Sequence, residues 1–369
     1  MAENYYPIWS RRIEEKRGEI DRFVRSINSN IDKILDESEL GELIYALDVE
    51  NILKFKKTTL GAVDGGEGIQ ELTGVAVYLI RASGLYSKVG SGGEFLRDLD
   101  LGVFPLDRQT KAKVQFKRAT IEFEVARRLA MEKKPDYLLM DGSLLVATEI
   151  DPIHINEYRL YIAALRALIE SCARSGVRLV GVSEDSASRG LINFLKERNH
   201  TSHSINKLMS SLTDSSLIQF FVQRKMPSAG KKKDVSIATE AFLPVSDKGR
   251  DWIKKNTGID KLFSTFYVQA TKFGKSLRVD FPADADWDDK KIQKESKTIA
   301  TLLVAMSQTP RRYGYPFPLF MAHQDAEVPR KLIEQTSLLI EKQIFKTWSG
   351  EYVSMYSKKR RDSRPADFD

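Results

Sequence analysis

The sequence predicts an α/β protein: a mixed sheet flanked by helices, with helical additions at both ends. Three observations predict it. Over residues 137–199, apolar runs and helical patterns alternate as "YLLMDGS", "INEYRLYIAALRALIESCARSG", "VRLVGVSED" and "SASRGLINFLKERN", the rhythm of parallel strands joined by crossover helices. Upstream, "TTLGAVDGG" and "LTGVAVYLIRAS" are β-branched-rich strands, and the "DGGEG" between them offers the Asp-Gly chemistry of a hairpin turn. Downstream, "FSTFYVQATKFGKSLRVDF" reads as a second hairpin around "KFGK".

The elements follow in order. Residues 8–47, including "IEEKRGEIDRFVRSINSNIDKIL", place aliphatic positions at helical spacing, as one long helix or two shorter ones. After the first two strands, "GLYSKVG" can supply a third short one. "QTKAKVQFKRATIEFEVARRLAMEK" is helical up to Pro135, and "YLLMDGS" is apolar enough to be buried on both faces. The next helix closes at Gly176, a C-terminal cap. Between 199 and 260, "HTSHSINKLMSSLTDSS" and "RKMPSAGKKKDVS" read as loops or an insertion. A helix over "KIQKESKTIATLLVAMSQ" leads to "TPRRYGYPFPLFMAH", a proline-broken connection, and to a last helix over "DAEVPRKLIEQTSLLIEKQIF". The expected division is a helical segment at 1–50, a main domain at 51–345 and a basic tail at 346–369.

At 369 residues, with 42% hydrophobic and 30% charged content, the chain can bury a large core. No apolar run approaches the roughly 20 residues of a membrane span, and "MAENYYPIWSRRIEEK" lacks a signal peptide's apolar stretch. A cytoplasmic protein is expected. The one cysteine, Cys172, excludes an intramolecular disulfide framework and sits in a helix as a small buried residue. A net charge of +7, spread over "RQTKAKVQFKR", "AGKKKD" and "SKKRRDSR", tilts toward a polyanionic partner.

Two aspartates stand at the ends of two central-looking strands: Asp64 in "GAVDGGEG" and Asp141 in "YLLMDGSL". Either alone is an ordinary turn or cap residue. Together they stand where ligands gather in open α/β sheets, and paired carboxylates repel unless a cation lies between them. The helix between them offers Glu122, on the face of Val125, Ala126 and Leu129, or Glu124, on the wetter face of Arg127 and Arg128. The spacing favours Glu122 as a third acidic ligand, with a surface pair to Arg118 as the plain alternative. Asp, then Glu on a helix, then Asp on a neighbouring strand is the order of ribonuclease H-like nucleases. Hard oxygen donors suit Mg²⁺ or Mn²⁺, and two such ions can clamp an in-line displacement at phosphate.

With "AVDGG", the "R…E" of "RATIE", "LLMDGSL", "LVGVSEDSAS" and "YPFPLFMAH", in that order across roughly residues 58–330, the chain resembles the NurA nucleases. That resemblance implies a ribonuclease H-like fold and Mn²⁺-dependent cleavage of single- and double-stranded DNA. It implies 5′-to-3′ exonuclease and single-strand endonuclease action in DNA end resection and double-strand break repair. The implied partners are a HerA-type hexameric ATPase and a second copy of the chain. By motif, Asp64, Glu122, Asp141 and His323 correspond to the metal site, with Tyr315 nearby. "VDGG" in place of "VDGS", and Glu184 before Asp185, depart from the family's pattern.

His200 and His203, in "HTSH", read as a polar loop, and His154, in "DPIH", as local structure at a helix start. His323 follows an apolar run and is either a core histidine or a ligand; Tyr315 is either a packing aromatic or part of the site. A phosphotransferase with an aspartate nucleophile would carry a second aspartate two residues on, which "VDGGEG" and "MDGSLL" lack, and no P-loop pattern occurs. A catalytically silent DNA-end-binding protein of the same fold is the other alternative.

Overall fold

The computed structural model describes residues 5–47, 52–72, 74–145, 156–184, 187–199, 202–226, 236–271, 274–284, 287–308 and 314–347. The chain runs α1 (Tyr6–Glu37), α2 (Leu40–Leu43), β1 (Ile44–Leu47), β2 (Thr59–Glu71), β3 (Val75–Lys88), β4 (Gly93–Pro105), α3 (Thr110–Glu132), β5 (Tyr137–Asp141), α4 (Asn156–Ser175) and β6 (Arg178–Ser183). It continues with α5 (Gly190–Asn199), α6 (His203–Met209), α7 (Asp214–Lys225), β7 (Ser236–Thr239), α8 (Asp247–Thr257), β8 (Leu262–Gln269), β9 (Leu277–Ala283), α9 (Asp289–Met306), α10 (Phe317–Ala326) and α11 (Arg330–Thr347).

Nine strands form one sheet in the order β1-β7-β8-β9-β6-β5-β2-β3-β4. β5 pairs in parallel with both β2 and β6, and the remaining pairings are antiparallel, so the sheet is mixed as expected. Alternation assigns each side chain to a face. Val63, Leu138 and Met140 pack under α3 and α4, whereas Leu60, Ala62, Tyr137 and Leu139 pack under α9 and α10. Leu138 and Leu139 are both wholly buried, each worth about 1.5–3 kcal/mol, which fixes β5 as a central strand.

Several elements differ from the sequence expectation. "DGGEG" is not a turn: β2 runs straight through it, paired with β3 from Thr59 to Glu71. "GLYSKVG" is the second half of β3, not a separate strand, and β4 carries an edge strand the alternation did not announce. Residues 44–47 leave the N-terminal helix as β1, which pairs with β7. The segment expected as loops forms α6, α7, β7 and α8, and Ile31, Ile34, Leu40 and Leu43 pack with Leu217, Ile218 and Val222 in one apolar cluster. "PFPLFMAH" is not a broken connection; it begins α10, and the last helical stretch is two helices separated at Glu327, Val328 and Pro329. Both prolines fall at the entry of α10, Pro316 as its N-cap and Pro318 in its first turn, where no backbone donor is lost.

Other expectations hold. α3 ends before Pro135, with Lys134 in the left-handed region (φ 46°), and Gly176 (φ 71°) ends α4. Cys172 is buried, as expected, and burial pushes its thiol up to about 12. Among the described residues, no helix is long and apolar enough to cross a membrane. His154, His200, Asp185, "AGKKKD" and the basic tail from 348 lie outside the described residues.

Candidate metal centre

β2 carries Asp64 between two glycine-dependent approaches. A Cβ on Gly65 would stand 2.3 Å from Glu122 Oε1, and one on Gly66 would stand 2.2 Å from the carbonyl oxygen of Ala326. The glycines therefore serve close packing rather than a turn: α3 comes down on one face of β2 and α10 on the other. Asp64 is buried and shares the α10 face with Gly66. One of its oxygens accepts from the amide of Gly65 at 2.7 Å.

His323, in the last turns of α10, places Nδ1 2.6 Å from the other oxygen of Asp64. A carboxylate only accepts, so Nδ1 donates, and in the neutral form of the ring the lone pair lies on Nε2. The imidazole is 54% exposed, so it is not a core histidine. Asp141 ends β5 on the same face, followed by Gly142 at φ 115°. One ligand atom each from Asp64, Asp141 and His323 lies within 4.8 Å of the others. Burial, then the charge of Asp64, push the Asp141 carboxyl up to about 6, opposed by a hydrogen bond from Tyr315 and by His323. Tyr315 is itself buried, and burial and Asp141 push its hydroxyl up.

Glu122 is buried while Glu124 is exposed, as helical spacing predicted. It reaches β2 from the α3 face, against Gly65, and is not one of the three clustered side chains. Arg118 Nε stands 3.2 Å from Glu122 Oε1 and 3.7 Å from Glu67 Oε2, but neither approach is aligned as a hydrogen bond, and all three atoms are buried. Burial pushes Glu122 up to about 7; Arg118 opposes this, while Asp64, Asp141 and Glu67 add to it. The pair with Arg118 exists, then, but is not the surface pair of the plain alternative.

Glu67 carries no signal in the sequence, because "DGGEG" reads as a turn; with β2 continued, it alternates onto the face of Gly65 and Arg118. Asp325, two positions after His323, likewise carries none, nor do Ser83 and Arg97 that bind it. His203 begins α6, exposed and away from this cluster. Glu184 lies beyond β6 and pairs with Lys275 at 3.8 Å.

Three antiparallel strands, β4-β3-β2, continued by β5 and β6 in parallel with β2, with carboxylates on the two central strands, define a ribonuclease H-like protein. The NurA domain family matches residues 58–328, and the chain belongs to that family. The DNA double-strand break repair nuclease NurA of Sulfurisphaera tokodaii is 23% identical over 331 residues, covering 80% of this chain and 85% of the relative. The crystal structure of the NurA nuclease from Sulfolobus solfataricus has a TM-score of 0.65 at 19% identity, over 92% of this chain and 99% of that one. A crystal structure of NurA with manganese has a TM-score of 0.51 at 14% identity, over 91% of this chain and 99% of that one.

Proposed function

We propose that this chain is a metal-dependent DNA nuclease, a phosphodiester hydrolase acting at DNA ends in double-strand break repair. The observation that carries the reading is the convergence of Asp64, Asp141 and His323 within 4.8 Å. Two hard oxygen donors and one borderline imidazole suit Mn²⁺, or Mg²⁺. The buried Glu122 Oε1, without a hydrogen bond, adds a carboxylate that interacts with the charges of Asp64 and Asp141, and we propose a second ion on that ground. Manganese in a related NurA structure, and the repair role named for the Sulfurisphaera relative, support the same assignment.

Asp64, Asp141 and His323 would hold the cation, with Glu122 beside them. A bound divalent cation supplies Lewis acidity at a phosphodiester and acidifies water. Tyr315 orients Asp141 through its hydrogen bond, and Asp64 fixes the imidazole so that Nε2 is free to bind or to move a proton. The net charge of +7 favours a DNA backbone. By kinship we further propose 5′-to-3′ exonuclease and single-strand endonuclease action, a homodimer, and work with a HerA-type hexameric ATPase. In this reading residues 51–345 form the nuclease domain.

The test is labelled linear DNA incubated with Mn²⁺, against an EDTA control, for the wild-type chain and for Asp64→Ala and Asp141→Ala. Wild type should cleave only with metal, and each variant should lose about a thousandfold or more in rate, about 4 kcal/mol. Variants keeping more than about a tenth of the rate would overturn the site. Binding of DNA without cleavage under any divalent cation would favour a silent end-binding protein.

A further inference from the structure

One register row crosses the sheet beside the candidate metal centre: Asp64 of β2 pairs with Ser83 of β3, which pairs with Arg97 of β4. Above this row lies the end of α10. His323 binds Asp64 at 2.6 Å. Two positions on, Asp325 accepts from Ser83 Oγ at 2.6 Å and from both arms of the Arg97 guanidinium, at 2.7 and 2.9 Å. Residues two apart on a helix point about 200° apart, so these anchors grip opposite flanks of one helix. Rolling α10 to lengthen one contact strains the other. In the next row Arg81 of β3 donates to the carbonyl of Glu327 at 2.7 Å, which also stops the helix from sliding along its axis.

We infer that Arg97, Ser83 and Asp325 are positioning residues: they set the roll of α10 and thereby hold the His323 imidazole against Asp64. The inference deepens the proposed function and rests on it only for the metal. A purely structural role fits poorly, because Arg97 is 57% exposed on an edge strand and such a pair contributes little to stability. Three hydrogen bonds on one carboxylate at that place give direction rather than strength. Arg serves here through its two-armed fork, which sets an angle that a lysine point charge would not.

The test uses the full chain as Arg97→Ala and Asp325→Asn, beside wild type. The chain has four histidines, so the His323 ring signals are assigned by their disappearance in His323→Gln. In the metal-free wild type, the Nδ1 proton shared with Asp64 should resonate downfield. Both variants should lose that signal, and their Mn²⁺ dissociation constants should rise about 10- to 100-fold, while thermal unfolding hardly moves. An unchanged ring signal with unchanged Mn²⁺ affinity in both would overturn the inference. Should Asp325→Asn fail to fold, Arg97→Ala, an exposed side chain, carries the test alone. A wild-type chain that neither binds Mn²⁺ nor cuts DNA would sink the nuclease reading instead, and the His323 signal would still decide the positioning role.

Discussion

His323 Nδ1 lies 2.6 Å from Asp64 Oδ2, a contact that closes 259 positions of sequence. It joins the first core strand of the ribonuclease H-like sheet to a helix that follows that core, so the candidate site is assembled only once α10 has docked. The same docking needs Gly66, because α10 ends on the bare backbone there.

His323→Ala is expected to lose cleavage with little change in melting temperature. The imidazole is 54% exposed, so little apolar area is lost with it. Asp64 keeps its bond from the Gly65 amide. Raised Mn²⁺ should restore part of the activity. Melting and cleavage measured on one preparation decide it: a destabilised variant with full activity removes His323 from the site.

Glu122→Gln should be inactive, and Glu124→Gln close to wild type. Glu122 is buried against Gly65, whereas Glu124 faces solvent. Cleavage of labelled DNA at saturating Mn²⁺ distinguishes them, and equal small effects would mean that α3 gives the site nothing.

What was legible in the sequence was local. β5 and β6 are apolar runs of strand length, and α3 shows its buried face by spacing, so Glu122 could be told from Glu124 before any fold was known. Asp64 and Asp141 stood out because each ends an apolar run. What was illegible depends on partners far away. Gly65 and Gly66 look like turn residues, yet the reasons for them are Glu122 and Ala326. β4 alternates exposed Leu99, Leu101 and Val103 with half-buried Asp98, Asp100 and Gly102, the reverse of a strand with a wet outer face. The Asp325–Arg97 pair joins residues 228 apart, and no local pattern marks it.

Stability of the metal-free protein should fall as pH rises from the acid range toward neutrality. Folding raises Glu122 from 4.5 to about 7 and Asp141 from 3.8 to about 6. For a raised carboxyl, the folded state holds its proton after the unfolded chain has released it. The stability so contributed is whole below the unfolded values and lost as pH passes through the folded ones. In EDTA, wild type should therefore lose melting temperature between about pH 4.5 and 7, and Glu122→Gln should lose less of it. Mn²⁺ should reverse the trend at higher pH, since it binds the ionised carboxylates. The same slope in wild type and Glu122→Gln would show that Glu122 is not the group responsible.

Gly66→Ala is expected to damage stability and site together. The added Cβ would stand 2.2 Å from the oxygen and 3.0 Å from the carbon of the Ala326 carbonyl, and 3.2 Å from the amide nitrogen of Val328. These are backbone atoms, so no side chain can swing aside, and the end of α10 must lift from β2. Overpacking of this kind costs about 1–3 kcal/mol. His323 and Asp325 ride on the same turns, so Mn²⁺ affinity should fall along with the melting temperature. Gly18→Ala is the matched control: within α1 its Cβ would meet nothing within 4 Å, and removing a mid-helix glycine there should stabilise by about 0.5–1 kcal/mol with no change in metal binding. A Gly66→Ala chain that melts and binds Mn²⁺ as wild type does would mean that α10 is not seated on β2 as described.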